Sequence, residues 1–473
     1  MNARLWVCAA VLVACPALAS EASAAPAFVF NNNDAGPGSF RRAVRRASTN
    51  PSVNTIVFFA KDVRITSGTV VYRGSQTLNL LGFGAKVSAR GSGKFDLFES
   101  RGGGSLNIHN LELVGAKERG VVITVPAWRR GTIRLCLWNS TVRGHDKFGV
   151  HIDDNAGSPA GVFTKFVKSS VRGNGIQAVI GTEFDDQDGV RVDERGPGGI
   201  QFIAYDSDFN RNKFDAIELD EGGTGDVVAW LVDCDINRNG DGSLPDINAE
   251  DPEEIDPEDG FDIDAAGGGD VEVVMIDCSV SNNDDEGIDL DQAGDGDCVL
   301  ICHNVTVNGN VDEGIKISQG EDEAGEGEIE FEIRDSVVNS NGGDGIKLEN
   351  FDDGDITADI RNCTVNRNDD GIELEQINED GFEAVGSITL RLRDSDVNRN
   401  GDEGVAIAVF GDGERAVARV RDSNVRRNGG TGLKVEQDSE EPLGLLRVVD
   451  STVTGNDEDI ETENVTEVIV STP

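Results

Sequence analysis

Hydrophobic and polar positions alternate in short bursts along this chain, and the bursts recur. Phe331 and Ile333 alternate with Glu332 and Arg334, Asp335-Ser336 makes a turn, and Val338 carries a short apolar piece that ends at Asn341. After Gly345, Ile346 and Leu348 alternate with Lys347 and Glu349. The first turn residue of each copy serves as an anchor: Asn110, Asn139, Lys168, Asp206, Asp233, Asp277, Asn304, Asp335, Asn362, Asp394, Asp422 and Asp450. Three positions on, every copy is apolar, as at Leu113, Phe209, Val338 and Val453. Six positions on, ten successive copies have asparagine, from Asn174 to Asn456. The spacing is mostly 27 to 32 residues, stretched where loops are inserted. A period-two alternation predicts strands, and a fixed repeat of this size predicts a solenoid or a propeller. Three short strands per copy are too few for a propeller blade, which needs four strands and about forty residues or more.

The expectation is therefore all-β: a single-stack parallel β-helix in which each copy is one coil. Coils pair about 4.8 Å apart, so equal positions stack into columns. The third-position column is a pile of Val and Ile, which suits β-branched packing. The asparagine column predicts a ladder of side-chain amides bonding from coil to coil, each bond contributing about 1 kcal/mol net. The glycines after it (Gly287, Gly314, Gly345, Gly371, Gly404, Gly432) are expected at positive φ. The stacked asparagines and the Asp-Ser-x-Val…Gly-Ile-x-Leu coil resemble the right-handed parallel β-helix, pectate-lyase-like superfamily of bacterial secreted repeat proteins, over roughly residues 53–456. That superfamily holds lyases, hydrolases, epimerases and non-catalytic surface proteins, so the resemblance implies architecture rather than one activity.

Residues 1–24 read as an export signal, with Arg4, an apolar run from Leu5 to Ala14, and small residues around Ala22-Ser23-Ala24. The rival is a lipobox, Leu12-Val13-Ala14-Cys15, with a lipid on Cys15 and an anchor on the cell envelope. The expected location is secreted or extracellular, and the apolar run is too short to span a bilayer. Residues 25–52 are expected to form an N-terminal cap. In it Ser39 starts a short helix with Phe40, Ala43, Val44 and Ala47 on one face, plugging the open end of the first coil. A basic helix on an anionic membrane is the alternative. The β-helix is expected over 53–456, with about two irregular coils before Asn110, and residues 457–473 form a C-terminal cap or tail.

The net charge of −45 is unevenly placed. Residues 25–144 carry 17 Lys and Arg against 6 Asp and Glu, whereas residues 145–473 carry 24 against 80. Such a surface does not favour nucleic acid. It serves solubility and the protection of strand edges, or it binds cations. Cys234, Cys278 and Cys363 directly follow anchors, where other coils have Ser, and are expected to point inward. Cys234 and Cys278 fall on consecutive coils, which permits either a disulfide or stacked thiols.

The strand after the ladder turn carries the strongest candidate chemistry. Its outward residues are Glu218 and Asp220, then Asp262 and Asp264, then Asp289 and Asp291, on three consecutive coils. Like charges at about 5 Å repel by roughly 1 kcal/mol per neighbour in water. Calcium, which takes several carboxylate oxygens, would offset that repulsion; a solvated acidic face is the bland alternative. Further along, Lys316, Lys347 with Glu349, Glu373 with Glu375, and Lys434 with Glu436 predict cross-coil salt bridges. Residues 235–246, opening Asp235-Ile236-Asn237-Arg238-Asn239-Gly240, resemble an EF-hand-like calcium loop, although the ladder alone dictates the same opening elsewhere. They begin an acidic insertion, 240–259, that reads as a lid or a disordered loop.

The resemblance allows each enzyme reading to be tested by residue. Pectate lyases of this fold pair calcium-binding acids with a basic proton acceptor; the acids are present, and no Arg motif stands beside them in the sequence. The inverting pectin hydrolases combine several Asp with Gly-His-Gly; Asp284, Asp285, Asp289 and Asp291 are similar, but Gly-His-Gly does not occur. The alginate epimerases use His and Tyr beside Asp, and none of the four histidines (His109, His145, His151, His303) falls in the acidic grid. His145 and His151 flank Asp146, Asp153 and Asp154, an acid/base candidate that a surface turn explains better. The expected function is an exported, non-catalytic surface or matrix protein that binds calcium and extracellular polysaccharide. The alternative is a calcium-assisted polysaccharide lyase.

Overall fold

The computed structural model describes residues 25–175, 187–240, 258–320, 327–351, 353–377, 386–410, 415–438 and 444–471. The export signal with Cys15, the second half of the EF-hand-like loop (241–246) and most of the acidic insertion (241–257) lie outside them. The chain winds as a right-handed parallel β-helix of about 14 coils. Each coil from Asn110 onward contributes a strand before the anchor and a short one after it, fused into a single strand at Asn110, Asp206 and Asp233, and a strand after the ladder turn. The last of these form one 14-stranded parallel sheet, from Val70–Tyr72 to Glu458–Glu463. Pairing is residue for residue: Val338 lies opposite Val307 and Val365, and Leu348 opposite Ile317 and Leu374. The inward columns make one continuous core; Ile333, Val338, Ile346 and Leu348 are fully buried. At the N-terminal end, helix α1 (Phe40–Thr49) seats Phe40, Ala43, Val44 and Ala47 on the first coils, and the Ser39 side chain accepts from the Arg42 N–H. At the other end, the strands Glu458–Glu463 and Val465–Ser471 pair in parallel with the coil below, the second with a register shift at Gly444/Leu445, so coil geometry continues to Ser471.

Backbone conformation explains the turn residues. All twelve anchors have φ between 46° and 56°. Asn and Asp tolerate this left-handed region better than other side chains, which is why eleven of the twelve are one or the other, Lys168 being the exception. A second left-handed residue precedes the ladder asparagine, as at Arg211, Arg238, Arg367, Arg399 and Arg427 (φ 57° to 62°).

The asparagine ladder is built as the repeat predicts. Asn283 donates through its backbone N–H (3.1 Å) and its Nδ2 (3.1 Å) to Oδ1 of Asn310, which repeats the pattern to Asn341 and so to Asn456. Its first rung is a surprise: His145 occupies the column before Asn174, donating its N–H to Asn174 Oδ1 (3.2 Å). His145 is fully buried, and burial pushes its pKa down to about 4. It is a ladder member and not part of a surface turn.

The glycines after the ladder correct the expectation of positive φ: Gly287, Gly314, Gly345, Gly371, Gly404 and Gly432 are not among the left-handed residues. They are glycine because the next coil leaves no room. A Cβ on Gly345 would sit 2.6 Å from both Asn368 Nδ2 and the Gly371 carbonyl oxygen. Gly345→Ala is expected to cost about 1–3 kcal/mol, the range for overpacking, and to loosen the ladder at Asn368. Hydrogen exchange of the Asn341 and Asn368 amides measures it; unchanged protection would refute the steric account. In the column after the anchor, Ser395 donates to the Arg393 carbonyl (2.7 Å) and accepts the Cys363 N–H (3.1 Å). Cys234, Cys278 and Cys363 take this place as buried free thiols, and no disulfide joins Cys234 to Cys278.

Candidate metal centre

The 14-stranded sheet sets the acidic residues in two straight columns. Glu218 lies opposite Asp262 and Asp262 opposite Asp289; beside them Asp220 faces Asp264 and Asp264 faces Asp291. All six point away from the core, as the alternation requires, yet Glu218 and Asp289 are only 6% exposed. A third acidic column covers them. Its members, Asp188, Asp215, Asp259 and Glu286, each immediately precede the glycine or alanine that opens the strand. These residues are missing from the reading of the sequence, although the signal was there: Glu313, Asp344, Asp370 and Glu403 hold the same place in later coils. Part of this column's work is structural. Asp259 Oδ1 accepts the Glu286 N–H at 2.8 Å, and Asp344 Oδ1 accepts the Asp370 N–H at 2.9 Å. One carboxylate oxygen thus replaces a coil-to-coil backbone bond and the other is left for different partners.

Together the columns bring hard oxygen ligands into coordination range. Oxygens of Asp215, Glu218 and Asp262 lie within 4.8 Å of one another, as do those of Glu218, Asp220 and Asp264, and those of Asp259, Glu286 and Asp289. Asp289 Oδ1 is buried and has no hydrogen-bond donor among the described residues. Buried carboxylate oxygens without donors are costly, and a divalent cation of oxygen preference satisfies several at once. The donor set of carboxylates without Cys or His fits calcium or magnesium better than zinc.

Electrostatics follow from the crowding. Burial, then the neighbouring carboxylates, push Glu218, Asp259, Asp262 and Asp289 well above the ordinary carboxylate range. Asp264 rises to about 7 even though its side chain reaches solvent, because surrounding protein desolvates it and Asp220 and Asp291 face it. Without a cation this grid holds protons.

Two cations close the grid at its ends; the sequence pattern places Lys316 in this column and predicts its cross-coil bridge, but does not place Arg191. Arg191 lies opposite Glu218 on the preceding coil and reaches Glu218 (2.5 Å), Asp220 (2.6 Å), Asp193 (2.8 Å) and Asp188 (3.6 Å). Lys316, opposite Asp289, reaches Asp289 at 3.0 Å and Glu286 at 3.4 Å. Both hold their protons more firmly than usual, since the surrounding carboxylates outweigh the effect of burial. Further along, the expected cross-coil bridges are in part replaced by pairs within one strand: Lys347 with Glu349 (3.0 Å) and Lys434 with Glu436 (3.3 Å). His151 is also not on a surface turn. It is 8% exposed, packs on Phe148, and sits between Arg119 (Nδ1, 3.0 Å) and Asp193 (Nε2, 2.9 Å). Among the described residues no helix is long and apolar enough to cross a membrane.

No family model and no curated protein matches the sequence. Solved structures similar in shape include the pectate lyase Pel9A, at 14% identity and a TM-score of 0.42, with 68% of this chain and 75% of that one covered. The A-module of the mannuronan C-5 epimerase AlgE4 from Azotobacter vinelandii matches at 14% identity and a TM-score of 0.37, covering 94% and 98%. The Dettilon tailspike protein matches at 12% identity and a TM-score of 0.39, covering 92% and 68%. At these values the likeness adds nothing to the coil register, which by itself makes the fold a right-handed parallel β-helix.

Proposed function

We propose that this is an exported, non-catalytic surface or matrix protein that binds calcium in the acidic grid and, through it, an acidic extracellular polysaccharide. The observation that carries the reading is the convergence of Asp215, Glu218 and Asp262 oxygens within 4.8 Å beneath a rim formed by Asp220, Asp264 and Asp291. Calcium takes six to eight oxygens, so an ion seated on the buried acids has places left for carboxylates of a bound glycan. The lyase alternative needs a base beside the ion. Arg191 and Lys316 are the nearest cations described, and both are tied into ion pairs that hold the proton on. A proton acceptor needs the opposite shift, which supports the non-catalytic reading.

Proton linkage supplies the test. A carboxyl whose folded pKa is raised binds more protons folded than unfolded, between the unfolded value near 4 and the folded one, about 7 for Asp264. Metal-free stability is therefore expected to fall as pH rises from about 4 to 7. Calcium displaces those protons, so it should raise the melting temperature more at pH 8 than at pH 5 and release protons when added near pH 6. At a hundredfold excess over Kd the gain is about 2.7 kcal/mol. Equal melting in calcium and in chelator at pH 8 would defeat the calcium reading. Unsaturated products from pectate or alginate, abolished by Asp289→Ala with Asp291→Ala, would defeat the non-catalytic one.

A further inference from the structure

The rod's acidity hides a face of opposite sign. On the strands before the anchors, Arg391 lies opposite Arg419, and Arg419 opposite Arg447, on three consecutive coils. All three side chains are exposed. Coil spacing puts like charges about 4.8 Å apart in a straight file, and no hydrogen bond or ion pair joins any of them to another described residue. The reason is visible in the register. The acid below Arg391 is Asp359, but Arg393 takes both of its oxygens, at 2.6 and 2.5 Å. Arg421, beside Arg419, turns to Asp422 at 3.0 Å. Above Arg447 the column continues as Ile469. In a chain with 87 acidic residues, three adjacent guanidinium groups without a carboxylate partner among the described residues are a place where a repulsive arrangement is kept although a partner is cheap to supply.

We propose that the Arg391–Arg419–Arg447 file is a calcium-independent binding site for an acidic polysaccharide, laid along the solenoid axis so that successive carboxylate or sulfate groups meet successive coils. This deepens the reading that the protein binds polysaccharide and rests on it, but it moves the contact from the acidic sheet to the outer face of the last coils. Guanidinium forks present paired donors to carboxylate and sulfate oxygens and are less strongly hydrated than ammonium. The repeat of the fold fixes their spacing, so a linear polymer with regularly placed charges matches it better than a compact anion. The free file also explains how a strongly acidic rod could hold a polyanion at all: the contact lies on a face where local charge is positive.

The test uses the whole protein in chelator, so that calcium plays no part. Labelled polygalacturonate and dextran sulfate are titrated in by fluorescence anisotropy at several salt concentrations. The wild type is expected to bind at least one of them, more weakly as salt rises; the better polymer distinguishes carboxylate from sulfate recognition. The triple variant R391Q/R419Q/R447Q is expected to lose affinity by about tenfold or more, as for several charge-assisted contacts removed together. R367Q/R399Q/R427Q changes the charge equally on another exposed column and is expected to lose little; R419E alone repeats the test with one exposed side chain altered. Wild-type binding to neither polymer, equal losses in both triple variants, or tighter binding of single-stranded DNA through the same file would each overturn the proposal. Failure of the calcium reading would appear separately, in the melting experiment.

Discussion

Arg191→Met is expected to destabilise the protein by about 3–5 kcal/mol near neutral pH, the scale for removing one member of a buried ion-pair network. Its guanidinium reaches Asp188, Asp193, Glu218 and Asp220 at once. Burial works to raise the Asp193 pKa, but His151 and Arg191 outweigh it and hold that carboxyl well below the usual range. Its stabilising contribution is present above the unfolded pKa near 4 and would be lost in the variant. Methionine fills much of the space, so the loss measures charge rather than volume. The loss is expected to shrink at pH 5, where Glu218 and its neighbours hold protons, and to shrink at pH 8 when calcium is added. Coils of a solenoid can unfold separately, so hydrogen exchange across Val190–Glu194 and Ile217–Glu221 should accompany denaturant melts. A penalty that is the same at pH 5, at pH 8 and in calcium would mean that Arg191 acts by packing alone.

Asn310→Ala is expected to be nearly as damaging, by about 3–4 kcal/mol. The substitution removes three bonds: the Asn283 N–H and Nδ2 to Asn310 Oδ1, and Asn310 Nδ2 to Asn341 Oδ1. Each contributes about 1 kcal/mol, and the buried Asn283 N–H left without an acceptor adds about 1 kcal/mol or more. Asn339→Ala is the comparison. Asn339 lies two residues before the ladder and is half-buried; the substitution keeps its backbone bond with the Gly309 N–H and removes only side-chain contacts with Asn308, Ser340 and Arg367, so its loss should stay below about 1 kcal/mol. Equal effects of the two substitutions would show that the ladder does not differ from any other polar column.

The coil itself was legible because a stacked fold repeats its constraints: Val338 and Asn341 recur at fixed distance from Asp335 for one physical reason, the position each holds in the coil. The six acids of the grid were legible for the same reason, through the alternation of Ile288 and Leu290 with Asp289 and Asp291. Arg191 was not, because residues 176–186 lengthen its coil and shift it out of the repeat, so nothing in the spacing shows that it faces Glu218. Asp215, Asp259 and Glu286 are not marked by the alternation, since periodicity says which way a strand residue points and little about the residue that precedes the strand. His145 reads from the sequence as part of a surface turn because acidic residues flank it; only the stacking shows that it stands at the head of the asparagine column. The glycines were assigned to positive φ from their turn setting, whereas the restriction comes from the neighbouring coil, which a single sequence does not display. The arginine file lay within a segment whose summed charge is strongly negative, and a sum along the chain conceals a difference between faces.

The central claim is that Asp215, Glu218 and Asp262, with the acids stacked beside them, hold a divalent cation. Crystals grown with calcium, then with terbium in its place, would locate the ion by anomalous scattering. A peak within coordination distance of those three carboxylates, lost in Asp262→Asn, is the expected result. A well-ordered grid with no peak there, its carboxyls paired through shared protons at pH 8, would contradict it.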